Sequence, residues 1–396
     1  MAAPRPRTVA LVAVAALVGF LFGLPHLLIP RLLPDPSSYT PLVVSDVSFL
    51  TVDETYSYGP RVREVMDGRW AVTDPIAYEY KGRWPFWFPV EQLLLGAMGK
   101  VLGSVPRIYL VSDFLFPPLD FLLLAAFVAL VTGSTALAVL GSLTVLVGGG
   151  RNALLVLWNL GQAALGGSSE QLATLTRPLE FSRLFTPELT FIPFIGGLVA
   201  LYLALTRQSL RWAVLASVCL ALLIPSYLYY WMFFAAGAGL LWLHALATRD
   251  RQRMRLLAVV LGLGFLLALP YWISYLMFSR LPEAHEVVAR FGAVRARYVD
   301  WPSAKDLTLI VATALVWWRT GEERFRFLFA FWVGLLLCRN VQLVTGYMVQ
   351  TVHWGYRVGY IWQTITILGL LAAIPRLGSG ERLRALLQHS GLWVKR

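Results

Sequence analysis

Asp53 and Glu54 are adjacent acidic residues that follow the first long apolar run of the sequence, Val9 to Ile29. A carboxylate at a membrane surface can act as a general base, because it can accept the proton of an attacking hydroxyl group. The same pair can also begin a helix, since acidic side chains in the first turn offset the helix dipole. The local pattern therefore leaves both roles open.

Cationic residues form a second candidate group much later in the chain. Arg339 follows the ninth apolar run, and His353 and Arg357 lead into the tenth. Ionisable groups at the edge of a membrane span cost free energy and are candidates for function. Arginine can instead extend its charge to the lipid head groups, and this alternative stays open for Arg339. The spacing of His353 and Arg357, one helical turn, favours a binding site.

The elements that must position these residues are membrane-spanning helices. Of the 396 residues, 58% are hydrophobic and 14% are charged, and the mean hydropathy is +0.64, unlike a soluble domain. A helical crossing needs about 20 apolar residues, and irregular backbone cannot face hydrocarbon. Apolar runs lie near 9–29, 114–132, 135–150, 188–206, 210–224, 227–247, 256–278, 304–318, 325–338 and 356–375. We therefore predict one all-α domain over residues 1–396, a polytopic transmembrane helical bundle of about ten spans.

The distribution of arginine and lysine predicts the orientation of this bundle in the cell membrane. Basic residues concentrate near 207–211, 249–255 and 319–326 and in the tail 376–396, which the positive-inside rule places in the cytoplasm together with both termini. Residues 30–112, 151–187, 280–303 and 339–355 are then extracytoplasmic. Because the net charge of +12 is spread between apolar runs, we do not expect a nucleic-acid partner.

The first extracytoplasmic loop, 30–112, is too long to be a simple connector. Its pattern predicts two short helices, Asp53 to Asp67 ending before Gly68 and Pro89 to Leu102 ending before Gly103. The stretch between them is rich in proline and aromatic residues, a composition typical of the membrane interface. We therefore expect these helices to lie along the membrane surface.

Several other patterns in the sequence indicate structure rather than chemistry. Tyr227, Tyr229 and Tyr230, at the start of the sixth run, are typical of an interfacial aromatic belt. No spacing of His, Cys, Asp and Glu specifies a metal site. No phosphate loop or dinucleotide fingerprint is present either. The sequence therefore predicts no cofactor.

The segment directly after the first span carries a loose motif: Asp53-Glu54-x-Tyr56, then Arg61, Arg63, Glu64, Gly68 and Asp74-Pro75. In this position, over residues 50–115, it resembles the first extracytoplasmic loop of GT-C fold glycosyltransferases. These multispanning enzymes take sugar from a polyprenyl-phosphate donor, and they include protein O-mannosyltransferases and the aminoarabinose transferases of lipid A. The resemblance implies that Asp53 or Glu54 is the catalytic base, with Asp53 preferred. It also implies that Asp74 and Glu79 orient the acceptor or hold a divalent metal.

The implied reaction is transfer of a sugar, with inversion, to a glycan, lipid or protein acceptor on the extracytoplasmic side. The departing polyprenyl phosphate needs cations, and Arg357, with His353 and Arg339, is expected to supply them.

Two alternatives remain open at this point. A transporter or flippase for a lipid-linked or polar solute would carry ionisable groups near the middle of its spans and spans broken by proline or glycine. In the sequence, charges fall mostly at the ends of the apolar runs, which favours an enzyme, and Asp120 after Pro117-Pro118 is the exception. The other alternative is a catalytically inactive protein with a GT-C-like fold.

Overall fold

The computed structural model describes residues 6–33, 35–41, 58–70, 84, 89–148, 161, 165, 181, 183–290 and 293–374. Over these ranges the protein is an all-α helical bundle, as predicted. In chain order its helices are α1 (Pro6–Leu32), α2 (Gly59–Met66), α3 (Val90–Leu102), α4 (Val105–Thr132), α5 (Thr135–Gly148), α6 (Thr190–Arg207), α7 (Leu210–Ser226), α8 (Leu228–Ala247), α9 (Arg251–Leu267), α10 (Leu269–Phe278), α11 (Ala284–Arg290), α12 (Ala304–Thr320), α13 (Glu323–Arg339), α14 (Gln342–Thr345) and α15 (Tyr360–Leu371). Wider helical turns at Leu184–Leu189 and Trp354–Gly359 lead into α6 and α15.

Helices occupy all ten of the apolar runs. Within the described residues, five helical stretches are long and apolar enough to cross a membrane: Thr8–Arg31, Val105–Thr132, Leu184–Arg207, Leu228–Ala247 and Glu323–Thr345. The bent pair α9 and α10 makes a sixth if it is counted as one span, and α5 and α7 are shorter apolar helices. The protein therefore has the helices of a multi-pass membrane protein, and the number of ten crossings stays a prediction.

The run at 256–278 is a broken helix rather than a continuous one. Its two parts, α9 and α10, are bent by 49° at Ala268. Pro270 lies in the first turn of α10, where its missing N–H and its ring oppose continuation of α9. The proline therefore accounts for the bend.

Contacts between the connections divide the bundle into two ends. At one end, Arg253 of α9 pairs with Glu323 of α13 at 2.7 Å, and Arg324 donates to the carbonyl of Val131 at the end of α4. At the other end Tyr227, before α8, contacts His353, before the last helix, and we call this the site end.

The helices α2 and α3 of the first loop pack as a pair at the site end. Gly96 of α3 lies so close to Val65 that a β-carbon there would be 2.4 Å from the valine side chain. α3 ends at Gly103, whose φ of +84° suits glycine. The second predicted helix of the loop is therefore present with its expected end, and the first is seen from Gly59 onward, because residues 51–57 lie outside the described ranges.

Close helix contact at glycine predicts a stability difference between two positions of α8. A β-carbon on Gly237 would be 2.5 Å from the ring of Phe331, whereas one on Gly239 would meet nothing within 4 Å. Both are helical, so alanine has the same intrinsic advantage of about 0.5–1 kcal/mol at each position. We expect Gly237→Ala to lower the thermal unfolding temperature in detergent and Gly239→Ala to leave it unchanged or raise it. Equal melting temperatures for the two variants would show that α8 and α13 are not in this contact.

Candidate functional site

The Tyr58 ring joins the first loop to the bundle. It stacks on Phe185 with ring centroids 4.6 Å apart. The guanidinium carbons of Arg61 and Arg183 lie 5.9 and 5.6 Å from the centroid of the same tyrosine ring. An aromatic face attracts a guanidinium and so offsets part of the cost of burying Arg61, which is 2% exposed. The first loop therefore brings a buried cation to the site end.

His353 lies in the connection before the last helix and contacts the start of α8. Its Nδ1 is 2.7 Å from the hydroxyl of Tyr227, and its ring centroid is 4.9 Å from that of Tyr229. Burial, together with the positive charges of Arg357 and Arg183, lowers the pKa of His353 to about 4. His353 is therefore neutral at pH 7, and it serves the site as a hydrogen-bonding group rather than as a cation.

Arg357 lies one turn beyond His353 and is 6% exposed. Its guanidinium carbon is 4.8 Å from the ring centroid of Tyr356. Arg357 lines a small, partly open cavity with free space for about one water molecule. The other lining residues are Val145, Phe181, Pro187, Tyr230, Tyr356, Tyr360 and Ile361. The cavity wall is thus mostly apolar and aromatic, with a buried cation in it.

The three tyrosines at the start of α8 belong to this site, so their interpretation as a lipid-facing belt was wrong. Tyr229 is 4% exposed and Tyr230 is fully buried. Tyr230 stacks on Phe194 of α6 with centroids 4.1 Å apart, and Tyr227 bonds to His353. A local run of aromatic residues cannot distinguish a belt from a packed site, because the deciding partner of Tyr227 is more than 100 positions away.

Arg339, the third predicted phosphate ligand, lies in a different environment. Its guanidinium makes two hydrogen bonds to the carboxylate of Asp300, at 2.8 and 2.9 Å, and a third to Asp306 at 3.3 Å. Asp306 also accepts a 2.7 Å hydrogen bond from Gln363 of α15. The structure brings His353 and Arg357 together and gives Arg339 a structural contact between α12 and α13.

The four predicted acids, Asp53, Glu54, Asp74 and Glu79, lie outside the described residues.

A different acid, Glu91 of α3, lies at the site end within the described residues. Burial raises the pKa of Glu91 to about 8, against the opposing effects of a hydrogen bond with Ser226 and the charge of Arg61. In the sequence Glu91 has the ordinary pattern of an acid in a first helical turn, and no local signal distinguishes it from a helix-stabilising residue.

Ionisable groups also lie inside the apolar helices, among them Asp120, the exception that the sequence already indicates. His26 of α1 and Asp113 of α4 form a buried pair, with Nε2 and Oδ2 2.7 Å apart. The other ring nitrogen of His26 is 2.5 Å from the hydroxyl of Tyr39. Asp120 is fully buried, and neither carboxylate oxygen has a hydrogen-bond partner among the described residues. These contacts were not predictable because α1 and α4 are separated by the whole first loop.

Among the described residues, no group of three or more His, Cys, Asp and Glu side chains is arranged to hold a metal ion. No model of a known protein family matches the chain, and no curated protein sequence matches it significantly.

The lowered pKa of His353 predicts a pH dependence of stability. In the unfolded chain His353 has an ordinary pKa near 6.5 and is protonated below that pH. In the folded protein it stays neutral down to about pH 4. The stability contributed by neutral His353 is therefore complete above pH 6.5 and is lost as the pH falls toward 4. We expect His353→Gln to lose less melting temperature than the wild type between pH 7 and pH 5. His285→Gln, at an exposed position, is the matched control and should follow the wild type. A His353→Gln protein with the full wild-type pH dependence would contradict the assignment.

Proposed function

We propose that this protein is an integral membrane glycosyltransferase of the GT-C type. It transfers a sugar from a polyprenyl-phosphate donor to an acceptor on the extracytoplasmic side. The observation that carries the proposal is the buried cation Arg357 in an aromatic cavity, at the same end of the bundle as the helices of the first loop. Arg183 and Arg357 both lie close enough to His353 for their charges to lower its pKa.

The cavity of Arg357 has the chemistry for a lipid phosphate. A guanidinium presents planar N–H groups that match phosphate oxygens, and its attraction for an anion is stronger where water is excluded. Tyr356, which is exposed beside the cavity, offers a ring and a hydroxyl for a sugar. Because the apolar helices adjoin the cavity directly, a prenyl chain in the membrane can stay in lipid while its phosphate reaches Arg357.

In the proposed reaction, the acceptor oxygen attacks the anomeric carbon of the sugar while the bond from that carbon to the phosphate oxygen breaks. The electron pair leaves with the polyprenyl phosphate, whose growing negative charge Arg357 stabilises. Asp53, or Glu54, takes the acceptor proton. Tyr58 follows Glu54 by four residues, so covalent connectivity limits their separation to about 14 Å. Tyr58 contacts Arg183, whose charge also acts on His353, and this proximity supports the proposal.

The proposal predicts separate losses for the base and the phosphate ligand. In membranes supplied with radiolabelled polyprenyl-phosphate sugars and endogenous acceptors, Asp53→Asn should lower transfer by about 100-fold or more, with Glu54→Gln as the second variant. Arg357→Gln should lower it by a similar factor of about 100 or more, because a leaving-group cation is lost. Arg280→Gln, at an exposed arginine of the site end, is the matched control.

Full activity in both acid variants would remove the base assignment. A wild-type protein that is folded and inactive with every donor would point to the inactive GT-C-like alternative.

A second candidate function, a transporter or flippase, is favoured by one observation. His26, Asp113 and Asp120 are buried ionisable residues within two helices long enough to span a membrane, and α4 contains Pro117 and Pro118 between its acids. Such groups carry protons or ions in transporters. In a transferase the His26–Asp113 pair instead joins α1 to α4 at the site end.

Lipid movement distinguishes the two functions. In vesicles that contain a fluorescent polyprenyl-phosphate analogue, dithionite quenching reports transfer of the analogue between leaflets. For a transferase we expect wild-type protein and Asp113→Asn to give the slow rate of empty vesicles. Fast quenching with the wild type that is lost in Asp113→Asn would support the flippase.

A further inference from the structure

Two connections of the site end are joined into one surface. Strand β1 (Val294–Arg295) pairs antiparallel with strand β2 (Tyr347–Met348), with Val294 opposite Met348 and Arg295 opposite Tyr347. The hydroxyl of Tyr298 contacts the sulfur of Met348 at 2.7 Å. We call residues 293–301 and 342–348 the platform.

The platform has a rigid base. The hydrogen bonds of Arg339 to Asp300 join the platform to the end of α13. Asn340 adds two contacts with the backbone of Asp300, and Gln342 donates to the carbonyl of Tyr298 at 3.0 Å. The backbone of the platform is thus fixed by buried or half-buried side chains, which leaves its outward side chains available.

Those outward side chains are cationic and aromatic. Arg295, Arg297, Tyr298 and Tyr347 are exposed, and the guanidinium of Arg295 lies 5.9 Å from the ring centroid of Tyr347. Within the described part of the chain, neither arginine forms an ion pair with an acid. Two exposed positive charges beside exposed tyrosine rings therefore form a surface complementary to an anionic ligand that has flat, weakly polar faces.

The platform continues directly into the candidate site. Four residues separate Met348 from His353, and the hydroxyl of Tyr229 holds this connection by donating to the carbonyl of Gln350 at 3.0 Å. The platform is thus joined to the candidate site by a short connection that α8 holds in place.

We propose that the platform docks an acceptor saccharide that carries carboxylate or phosphate groups. Sugar rings would pack their C–H faces on Tyr298 and Tyr347, while Arg295 and Arg297 would pair with the anionic groups. This inference rests on the proposed glycosyltransferase function and names the class of its acceptor. Anionic lipid head groups are the rival occupant, because Val344, Val352 and Trp301 are also exposed nearby. Continuity with the site favours the saccharide.

The test measures binding without catalysis. Protein in phosphatidylcholine nanodiscs is titrated with an oligogalacturonate of defined length, with a neutral maltooligosaccharide of equal length as the reference ligand. We expect the wild type to bind the anionic oligomer more tightly, and added salt to weaken that binding. The double variant Arg295→Gln/Arg297→Gln should bind it at least tenfold more weakly, while Arg280→Gln should bind as the wild type does. Melting temperatures verify that each variant is folded.

Equal binding of the anionic oligomer by the wild type and the double variant would overturn the inference. The double variant could instead lose only a preference for phosphatidylglycerol and keep its oligosaccharide binding. That result would overturn the inference in favour of lipid head groups. In transfer assays we expect the double variant to raise the KM for acceptor and to leave the KM for donor unchanged. Failure of the two proposals is distinguishable. If the wild type binds the anionic oligomer but transfers no sugar, the transferase is contradicted. If the wild type transfers sugar and the double variant has unchanged acceptor KM and binding, only the platform is contradicted.

Discussion

Removing a guanidinium group from water has a large free-energy cost, and the protein must offset that cost with rings, carboxylates or other polar groups. Arg357 is 6% exposed, and the features of the site end follow from its burial. The Tyr356 ring lies against its charge, and Tyr230 lines the same cavity. The same positive charge helps to keep His353 neutral. The buried charge of Arg357 therefore influences both the ring packing and the protonation state of this site.

Arg339 and Arg357 show how similar sequence contexts lead to different roles. Both follow or precede an apolar run at the site end, and both were expected to bind phosphate. Arg339 is satisfied by two hydrogen bonds to Asp300 and one to Asp306, and these contacts fix the platform to the bundle. Arg357 lies against the Tyr356 ring and lines a cavity. In the proposed enzyme, one arginine maintains the shape of the acceptor surface and the other stabilises the leaving group.

The parts of the fold that were predictable depend on local signals. The ten apolar runs correspond to helices, and Gly103 ends α3 because its left-handed conformation suits glycine. Pairings between distant elements were not predictable. The His26–Asp113 contact crosses the whole first loop, and Tyr227 and His353 are 126 residues apart. Hydrophobic periodicity contains no information about such contacts. The burial of the tyrosines and the pairing of His26 with Asp113 are therefore seen only in the structure.

The most direct test of the central claim uses a ligand that every donor of this class shares, the polyprenyl phosphate itself. Its affinity for the purified protein in nanodiscs can be measured by native mass spectrometry or by displacement of a fluorescent analogue, without knowledge of the sugar or the acceptor. We expect the wild type to bind it and Arg357→Gln to bind it at least tenfold more weakly, with Arg280→Gln unchanged. Equal affinity of the wild type and Arg357→Gln, or no binding by a folded wild type, would contradict the assignment of this cavity as the lipid-phosphate site.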